Sequence, residues 1–337
     1  MFKKKSKYNV AIMGATGAVG EEILKILETR KFPVNYLKLL ASARSVGRKY
    51  FFQGKSIAVD ELKENSFEGM DIVLASAGGS ISKKFAPLAV QAGAVVVDNT
   101  SAYRMDPRVP LVVPEINPGD IKKHKGIIAN PNCSTIIMNV PVYPIYKKYG
   151  ISRILVSTYQ AASGAGAKAM EELKIQAKDF LDGKPVKKEI FPHQIAFNLF
   201  SHNSAVKDEG YNEEEIKMIK ETHKIFHDPK LKIAATCVRV PILRAHSESI
   251  FLDLKKTPDP DAVRKLLAKS PGVKIVDDRD KNYFPMPLEA SGQDDVLVGR
   301  IRRDLSNPKG LCLFISGDQL RKGAALNAVQ IAEILCR

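Results

Sequence analysis

The sequence is poor in the residues that build disulfide or metal frameworks. Its 337 residues include no tryptophan and four cysteines, which are scattered and form no C-x-x-C pair. Disulfide-rich domains and tetrahedral zinc sites both need clustered ligands, so neither is predicted. No stretch approaches the roughly 20 apolar residues of a membrane span. The basic residues near the start are followed by no apolar segment of signal-peptide length, so we expect a cytoplasmic location and no membrane partner.

The chain has an excess of basic over acidic residues, 52 against 37, which gives a formal net charge of +15. These basic residues are interspersed with acidic ones, and no aromatic-basic platform of the nucleic-acid-binding type is present. We therefore expect no nucleic-acid partner and interpret most of the excess as solvated surface, with a few residues converging on phosphate groups. The hydrophobic fraction of 45% is ample for a core, and the length suits about two domains.

The first 130 residues alternate short β-branched runs with helical stretches. Such alternation is typical of βαβ units and predicts a Rossmann-type, doubly wound parallel sheet of the α/β class. The predicted strands are residues 8–13, 37–41, 71–75 and 94–98, and the predicted helices are 21–29 and 82–92. Residues 109–132 are rich in Pro, Gly and Asn, contain a short strand at 127–129, and are predicted to form the domain boundary.

The second half has longer alternating strands, which predict a mixed or antiparallel sheet in an α+β domain. The strands are expected at 154–160, 233–240, 248–254, 296–302 and 311–316, and the helices at about 134–149, at 167–181, after Pro260 and at 320–335. The last helix is expected to return to the first domain. The predicted domains are therefore residues 1–132 plus 319–337, and residues 133–318.

A glycine-rich loop, Gly14-Ala-Thr-Gly17-Ala-Val-Gly20, directly follows the first predicted strand and opens a helix. Glycines allow a tight turn and a close approach of the backbone to a pyrophosphate, whose charge the helix N-terminus stabilises. A strand-to-helix turn without any ligand is the alternative. The residues predicted to contact a dinucleotide here are Gly14, Thr16, Gly17, Ala18 and Val19.

The end of the second strand discriminates between the two nicotinamide cofactors. NAD enzymes usually place an acidic residue there for the ribose 2′-hydroxyl, but this chain reads Ala41-Ser-Ala-Arg44-Ser45. Arg44 and Ser45 could pair with a 2′-phosphate, so NADP is favoured over NAD. The alternative is that Arg44 is an ordinary solvated loop residue.

Cys133 follows Asn130-Pro131-Asn132 and begins a predicted helix. A thiol at a helix N-terminus lies at the positive end of the dipole, which stabilises the thiolate for attack on an acyl carbon. Backbone N–H groups of the same turn could stabilise an oxyanion. A buried, inert cysteine is the alternative. The other three cysteines fit that alternative because they lie within apolar patterns: Cys237, Cys312 and Cys336.

Among six histidines, His246 is the best candidate for catalysis, because it lies in a short joint between two predicted strands and could reach a cleft. His223 and His227 have helical i, i+4 spacing, but the sequence lacks the acidic residue of a His-Glu-x-x-His motif. A surface helix is therefore favoured over a metal site, and no metal is predicted.

Four motifs in this order, together with residues 317–327 near the end, resemble the aspartate-semialdehyde dehydrogenase family over essentially the whole chain. They are the glycine loop, Asn-Pro-Asn-Cys133-Ser-Thr, Tyr159-Gln160-Ala-Ala-Ser163-Gly164-Ala-Gly166 and Arg239-Val-Pro-Ile-Leu-Arg-Ala-His246-Ser. The resemblance implies a reversible NADP-dependent conversion of L-aspartyl 4-phosphate to L-aspartate 4-semialdehyde, in lysine, methionine and threonine biosynthesis. It also implies a homodimer built through the sheet of the second, catalytic and dimerisation domain, with a homotetramer as a further option.

The resemblance implies a role for each matched residue. Cys133 would be the acyl-thioester nucleophile, His246 the general acid/base that first draws the thiol proton, and Gln160 a substrate-orienting group. Substrate contacts would come from Arg239 for the α-carboxylate, Arg104 and Lys217 for the phosphate, Glu214 for the α-amino group, and Asn132. Further cofactor contacts would come from Ser163, Gly164 and Asn327. The match to the family is loose across residues 183–209, so no role is carried over to them.

Two of these assignments rest on position as well as on resemblance. Glu214 is chosen from Glu213-Glu214-Glu215 because it lies three residues before Lys217, on the same face of a helix. Arg239 precedes His246 by seven residues and is expected on the same strand, which would place the substrate anchor about one ligand length from the proton donor. Guanidinium groups suit carboxylates and phosphates because they bond bidentately and stay charged.

Other functions remain open at this point. N-acetyl-γ-glutamyl-phosphate reductase shares the cysteine chemistry but would be expected to have a glycine in place of Asn132. Glyceraldehyde-3-phosphate dehydrogenase is a more distant candidate, because the chain lacks the acidic residue after the second strand. A non-enzymatic NADP-binding redox sensor would need Cys133 but no substrate arginine. Taken singly, Arg104 and Arg239 could form structural ion pairs, and Gln160 could be a strand-end hydrogen bonder.

Overall fold

The computed structural model describes residues 2–337 and divides into two compact units. The first unit consists of residues up to 132 together with 324–337, and the second of residues 133–323. The final helix therefore lies in the first unit, and residues 319–323, which were expected there, lie in the second. Among residues 2–337, no helix is both long and apolar enough to span a bilayer.

The first unit contains a seven-stranded sheet in the order β3-β4-β2-β1-β5-β6-β7. All its strand pairs are parallel except β3 and β4. The strands are β1 (Tyr8–Met13), β2 (Val34–Ala41), β3 (Lys49–Phe52), β4 (Lys55–Glu61), β5 (Ile72–Ala75), β6 (Val95–Asp98) and β7 (Ile127–Ala129), and the helices are α1 (Ala18–Thr29), α2 (Gly79–Gln91) and α8 (Leu326–Cys336).

Alternate residues of the central strands pack into two separate apolar clusters, one on each face of the sheet. Ile12 and Leu74 belong to the cluster that also contains apolar residues of α1 and α8. Ala11, Met13 and Val73 belong to the cluster that contains residues of α2. Because the central strands are buried on both faces, they read as continuous apolar runs in the sequence. The predicted doubly wound sheet is confirmed.

The edge of this sheet differs from the purely parallel arrangement that the sequence predicted. β3 and β4 form an antiparallel hairpin joined by Gln53 and Gly54, both of which have positive φ angles, 49° and 75°. Two positive φ values in a two-residue loop match the right-handed twist of a hairpin. The missed signal was therefore the Gln-Gly pair between two alternating runs.

The second unit contains a mixed sheet in the order β12-β13-β14-β11-β8-β10-β9, as predicted for its class. β8 and β10 pair in parallel, as do β12 and β13, and the other pairs are antiparallel. Its strands are β8 (Ile151–Gln160), β9 (Phe200–Ser201), β10 (Lys232–Arg239), β11 (His246–Leu254), β12 (Val273–Ile275), β13 (Val296–Arg303) and β14 (Gly310–Gly317), and its helices are α3 (Cys133–Tyr149), α4 (Ala167–Leu181), α5 (Glu213–Phe226), α6 (Pro260–Leu267) and α7 (Pro287–Ala290).

Two expectations for this half of the chain were wrong. Arg239 and His246 do not share a strand, because Arg239 ends β10, His246 begins β11, and β8 lies between these strands. The last helix does not begin at residue 320. A wider π-helical turn, Arg321–Ala325, precedes the regular helix, which starts at Leu326.

Candidate active site

Cys133 is the first residue of α3 and directly follows Asn130-Pro131-Asn132. Its Sγ lies 3.6 Å from Nε2 of His246, within hydrogen-bonding range for sulfur. Gly323 packs against the same residue, since a Cβ at position 323 would lie 2.9 Å from the Cβ of Cys133. The turn before α8 therefore accommodates only glycine beside the thiol.

His246 is fully buried at the start of β11. The backbone N–H of Ala161 donates to its Nδ1 over 3.1 Å. Because a neutral imidazole has one acceptor nitrogen, this bond assigns the ring proton to Nε2, which faces Cys133. Burial, with a further contribution from the charge of Arg239, lowers the pKa of His246 to about 3. The ring is therefore neutral near pH 7 and presents an N–H to the sulfur.

The loop that leads into His246 is held by residues for which the sequence predicted no role. Ala245 has a φ of +71°, and its N–H donates to Gln319 over 2.8 Å. The side-chain amide of Gln319 in turn donates to Ser163 Oγ. Asp318 accepts from Arg244 Nε at 2.8 Å. The Asp-Gln pair lies in the 317–327 segment of the family resemblance, but only its contacts across the sheet reveal what it does.

Gln160 lies at the end of β8, where its side-chain amide donates to Ser134 Oγ at 2.8 Å and to Glu214 Oε1 at 3.3 Å. The other oxygen of Glu214 lies 3.3 Å from Lys217 Nζ. These residues come from β8, α3 and α5, so the sheet and both helices contribute to one polar cluster.

The structure distinguishes the three consecutive glutamates. Glu213 is half-buried and pairs with Lys207 at 2.7 Å. Glu215 accepts from the backbone N–H of Asn212, which is part of the capping box of α5, and from the N–H of Cys237, each over 2.9 Å. Only Glu214 faces Gln160.

Arg239 ends β10 directly beside Gln160 in the parallel register. Its Nη1 donates to Ala161 O at 2.9 Å, and its Nη2 donates to His202 Nε2 at 2.8 Å and Asn203 Oδ1 at 3.2 Å. Arg239 is only 3% exposed, and its guanidinium carbon lies 5.5 Å from the centroid of the Phe191 ring. All three partner segments lie outside β10, so local sequence did not reveal them.

Gly164 shows how close Arg239 and His246 are despite the strand between them. A Cβ at position 164 would lie 3.0 Å from Arg239 Nη1 and 3.2 Å from His246 Nε2. Any larger residue at position 164 would occupy the space between the arginine and the histidine. Ser163, the residue before it, is buried and bonded to Gln319.

The remaining cysteines are unlike Cys133. Cys237 is buried beside Met218, and burial raises the pKa of its thiol far above the usual range. Burial also raises the pKa of Cys312, and it raises that of Cys336 to about 11. Across residues 2–337, no group of His, Cys, Asp or Glu side chains is arranged to hold a metal ion.

The glycine loop of the first unit is shaped by its backbone. Gly14 has a φ of +91°, and a Cβ there would lie 2.7 Å from Ser76 O. Gly20 is equally constrained, because its Cβ would lie 2.2 Å from Gly14 O. Gly17 is the N-cap of α1 and has no side chain that could bond the N–H groups of the first turn. This bare helix N-terminus fits a pyrophosphate.

The predicted 2′-phosphate residues lie next to this loop. Thr16 Oγ1 is 3.4 Å from Ser45 Oγ, and Ser45 ends a short 3-10 turn, Ala43–Ser45, on which Arg44 is exposed. The loop and this turn therefore form one surface within the first unit, with a guanidinium at its rim.

Three other predicted residues of the first unit are buried, and two of them bond to Asn130. Arg104 donates through Nε to Asn130 O at 2.9 Å, and Asn327 donates to Asn130 Oδ1 at 2.6 Å and Val112 O at 2.9 Å. Asn132 is also buried. Asn327 thus ties α8 to the segment that leads to Cys133.

Comparisons with known proteins follow the same division of the chain. Residues 9–124 match the family model "Semialdehyde dehydrogenase, NAD binding domain", and residues 142–322 match "Semialdehyde dehydrogenase, dimerisation domain". An aspartate-semialdehyde dehydrogenase of Synechocystis sp. is 58% identical over 331 residues, covering 98% of both chains. The chain belongs to the aspartate-semialdehyde dehydrogenase family. The resemblance inferred from the four motifs is confirmed, and the chain is an oxidoreductase with a nicotinamide-nucleotide-binding domain.

Solved structures of aspartate-semialdehyde dehydrogenases share the fold. The Vibrio cholerae enzyme II complexed with ASA is 47% identical, with a TM-score of 0.96 and 98% of both chains covered. The Candida albicans enzyme with NADP is 26% identical, with a TM-score of 0.75, covering 97% of this chain and 98% of that one. The sequence also raised two alternatives, an N-acetyl-γ-glutamyl-phosphate reductase and a redox sensor. Membership of this family supports neither of them.

Proposed function

We propose that the chain catalyses the reversible NADP-dependent reductive dephosphorylation of L-aspartyl 4-phosphate to L-aspartate 4-semialdehyde through a thioester on Cys133. The reaction serves lysine, methionine and threonine biosynthesis. The observation that carries the proposal is the 3.6 Å pairing of Cys133 Sγ with His246 Nε2 in the same unit as a buried arginine, Arg239, and a buried carboxylate, Glu214. A nucleophile beside one cation and one anion suits an amino-acid substrate.

The Cys133 thiol gives its proton to water, and the thiolate is then stabilised by the N-terminus of α3 and by a hydrogen bond from the Nε2–H of His246. If His246 drew the thiol proton first, it would become an imidazolium, which both burial and the Ala161 N–H oppose. We therefore assign His246 the donor role, which revises the first step expected from the resemblance. It stabilises the sulfur anion before attack and again when the aldehyde departs.

Charge matching assigns the substrate groups. Arg239 presents a fixed guanidinium to the α-carboxylate, and Glu214 presents a carboxylate to the α-ammonium group. Gln160, held by Ser134, orients the reacting carbonyl, and N–H groups of the first turn of α3 stabilise the oxyanion. Phosphate contacts are assigned to Arg104, Lys217 and Asn132.

NADP is the cofactor of this proposal, and when bound as NADPH it supplies the hydride that reduces the thioester. The bare N-terminus of α1 and the positive-φ turn at Gly14 support pyrophosphate binding. Arg44 and Ser45 would hold the 2′-phosphate. The residues assigned to the rest of the cofactor site are Thr16, Gly17, Ala18, Val19, Ser163, Gly164 and Asn327.

A homodimer belongs to the proposal, and a homotetramer would pair two such dimers. One face of the second sheet carries Tyr159, 37% exposed, and Phe251, 39% exposed, with Phe314 6.3 Å from Tyr159 between ring centroids. An apolar sheet face of this kind suits an isologous contact with a second copy. A cytoplasmic location is proposed because all four cysteines are free thiols and the nucleophile must stay reduced.

The function is tested by measuring the phosphate-dependent reduction of NADP through the absorbance of the NADPH formed. Aspartate semialdehyde should support turnover and N-acetylglutamate semialdehyde should not; the reverse result would support the reductase instead. In the same assay Arg239→Leu should collapse the affinity for aspartate semialdehyde. If that variant changed no measured property, the redox-sensor alternative would be favoured.

A further inference from the structure

The segment between α4 and α5 places a histidine in contact with the guanidinium of Arg239. His202 lies just after β9 and is half-buried. Arg239 Nη2 lies 2.8 Å from His202 Nε2. A guanidinium has only donors, so Nε2 must accept, and the proton of the neutral ring must then lie on Nδ1. Burial lowers the pKa of His202 to about 4, which keeps the ring neutral near pH 7.

The proton on Nδ1 points to Ser204. Ser204 Oγ lies 3.1 Å from His202 Nδ1, a distance suited to an N–H···O bond. The backbone N of Ser204 is also 3.2 Å from Nδ1, but that bond would require Nδ1 to accept instead. Only one ring nitrogen can accept. The contact with Arg239 is shorter and charge-assisted, so it decides the tautomer.

Ser204 continues the chain of bonds into α5. Its Oγ accepts from the backbone N–H of Glu214 at 3.2 Å and lies 3.5 Å from Asn212 Oδ1, to which it can donate. With the bond from His202, the hydroxyl then accepts two hydrogen bonds and donates one, which is its full capacity. Asn212 is the N-cap of α5, the helix that carries Glu214 and Lys217.

We propose that His202 is a positioning residue whose Nδ1–H tautomer couples the guanidinium of Arg239, through Ser204, to the N-terminus of α5. This inference rests on the proposed function of Arg239 and Glu214. The coupling fixes the carboxylate-binding and ammonium-binding groups relative to each other, so it sets specificity for a substrate that carries both. Charged groups acting on the ring are Arg239, Glu214 and Lys217.

Steady-state kinetics at saturating phosphate and NADP test the coupling with two aldehydes, aspartate semialdehyde and 3-aminopropanal, which lacks the carboxylate. His202→Leu should raise KM for aspartate semialdehyde by about tenfold or more, because a charge-assisted bond is worth roughly 1.5–3 kcal/mol. The preference over 3-aminopropanal should fall by the same factor, with KM for NADP unchanged.

Two variants separate positioning from general damage. His202→Gln should recover most of the lost preference, because its amide can accept from Arg239 and donate to Ser204. His193→Leu is the matched control, since His193 is exposed in the same segment and packs on Phe200 rather than on Arg239. Equal losses for both aldehydes in His202→Leu, or no rescue by glutamine, would overturn the proposal.

Nitrogen NMR of the histidine-labelled wild-type protein gives a readout that needs neither turnover nor a folded variant. His202 should show a protonated Nδ1, and His246 a protonated Nε2. A protonated Nε2 at His202 would refute the coupling whether or not the enzyme turns over aspartate semialdehyde. If the expected tautomers appear but no turnover is found, the proposed function fails and the coupling geometry stands.

Discussion

The two units build their sites in opposite ways. The first unit uses the backbone of one continuous turn, in which Gly14 and Gly20 leave no room for a Cβ and α1 begins without a side-chain cap. The second uses side chains brought together from α3, β8, α5, β10 and β11. The first site is therefore sensitive to added volume, and the second is sensitive to the loss of a partner.

The largest expected effect tests the side-chain site. Cys133→Ala should lower turnover by about 10³-fold or more, because the thioester cannot form, while NADP binding is retained. Cys237→Ala is the control, since that thiol is buried and contacts Met218. Kinetics and a fluorescence titration with NADPH would measure both. A comparable loss of turnover in the control would show that the site is not specific to Cys133.

The second effect is the pH dependence of stability in the second unit. His246 and His202 have folded pKa values of about 3 and 4, below the unfolded value near 6.5. The unfolded chain therefore binds more protons in this range, so stability should fall as the pH drops from about 6.5 towards 4. The expected loss is about 3 kcal/mol for His246, and His246→Gln should flatten the slope. Denaturant unfolding at several pH values measures it; an unchanged slope would contradict the assigned burial.

The third effect tests the backbone site. Gly14→Ala should raise KM for NADP about tenfold or more, because its Cβ would contact Ser76 O at 2.7 Å in a positive-φ turn. Gly47→Ala is matched, since Gly47 has a φ of +83° but nothing within 4 Å of the added Cβ. Both variants place an alanine at a positive φ, but only Gly14→Ala adds a close Cβ contact, so kinetics and thermal unfolding of the two separate the effect of the contact from that of backbone strain. Equal effects on KM for NADP would mean that backbone strain alone matters.

The smallest effect concerns the charged side chain that the first site is expected to use for cofactor specificity. Arg44→Ala should lower the preference for NADP over NAD by about tenfold, as expected for one exposed charge-assisted contact. Arg48→Ala, a nearby exposed arginine, should leave the preference unchanged. The ratio of kcat/KM values for the two cofactors measures the effect. An unchanged ratio in Arg44→Ala would assign the arginine to solvent.

The sequence predicted the first unit more fully than it predicted the site of the second unit, because the signals of the first unit are local. Buried β-branched runs and the glycine loop each fall within a few consecutive residues, whereas the Gln53-Gly54 hairpin was overlooked. Strand order in a mixed sheet depends on pairing between distant segments. That is why Arg239 and His246 were expected on one strand, although β8 separates their strands.

The sequence could not predict the partners that hold the catalytic side chains, for the same reason. Gln319 reaches Ser163 and the N–H of Ala245, and His202 reaches Arg239, over separations of tens of residues or more. No local pattern marks such contacts. The choice of Glu214 was possible only because helical periodicity relates it to Lys217.

Omitting phosphate gives the most direct test of the central claim, that one substrate is held on Cys133 by the second unit. Aspartate semialdehyde mixed with NADP should give a rapid burst of one NADPH per active site and then stop, and phosphate should restart turnover. Mass spectrometry of the quenched protein should find the aspartyl adduct on the peptide that contains Cys133. No burst, or an adduct on Cys237, Cys312 or Cys336, would contradict the account.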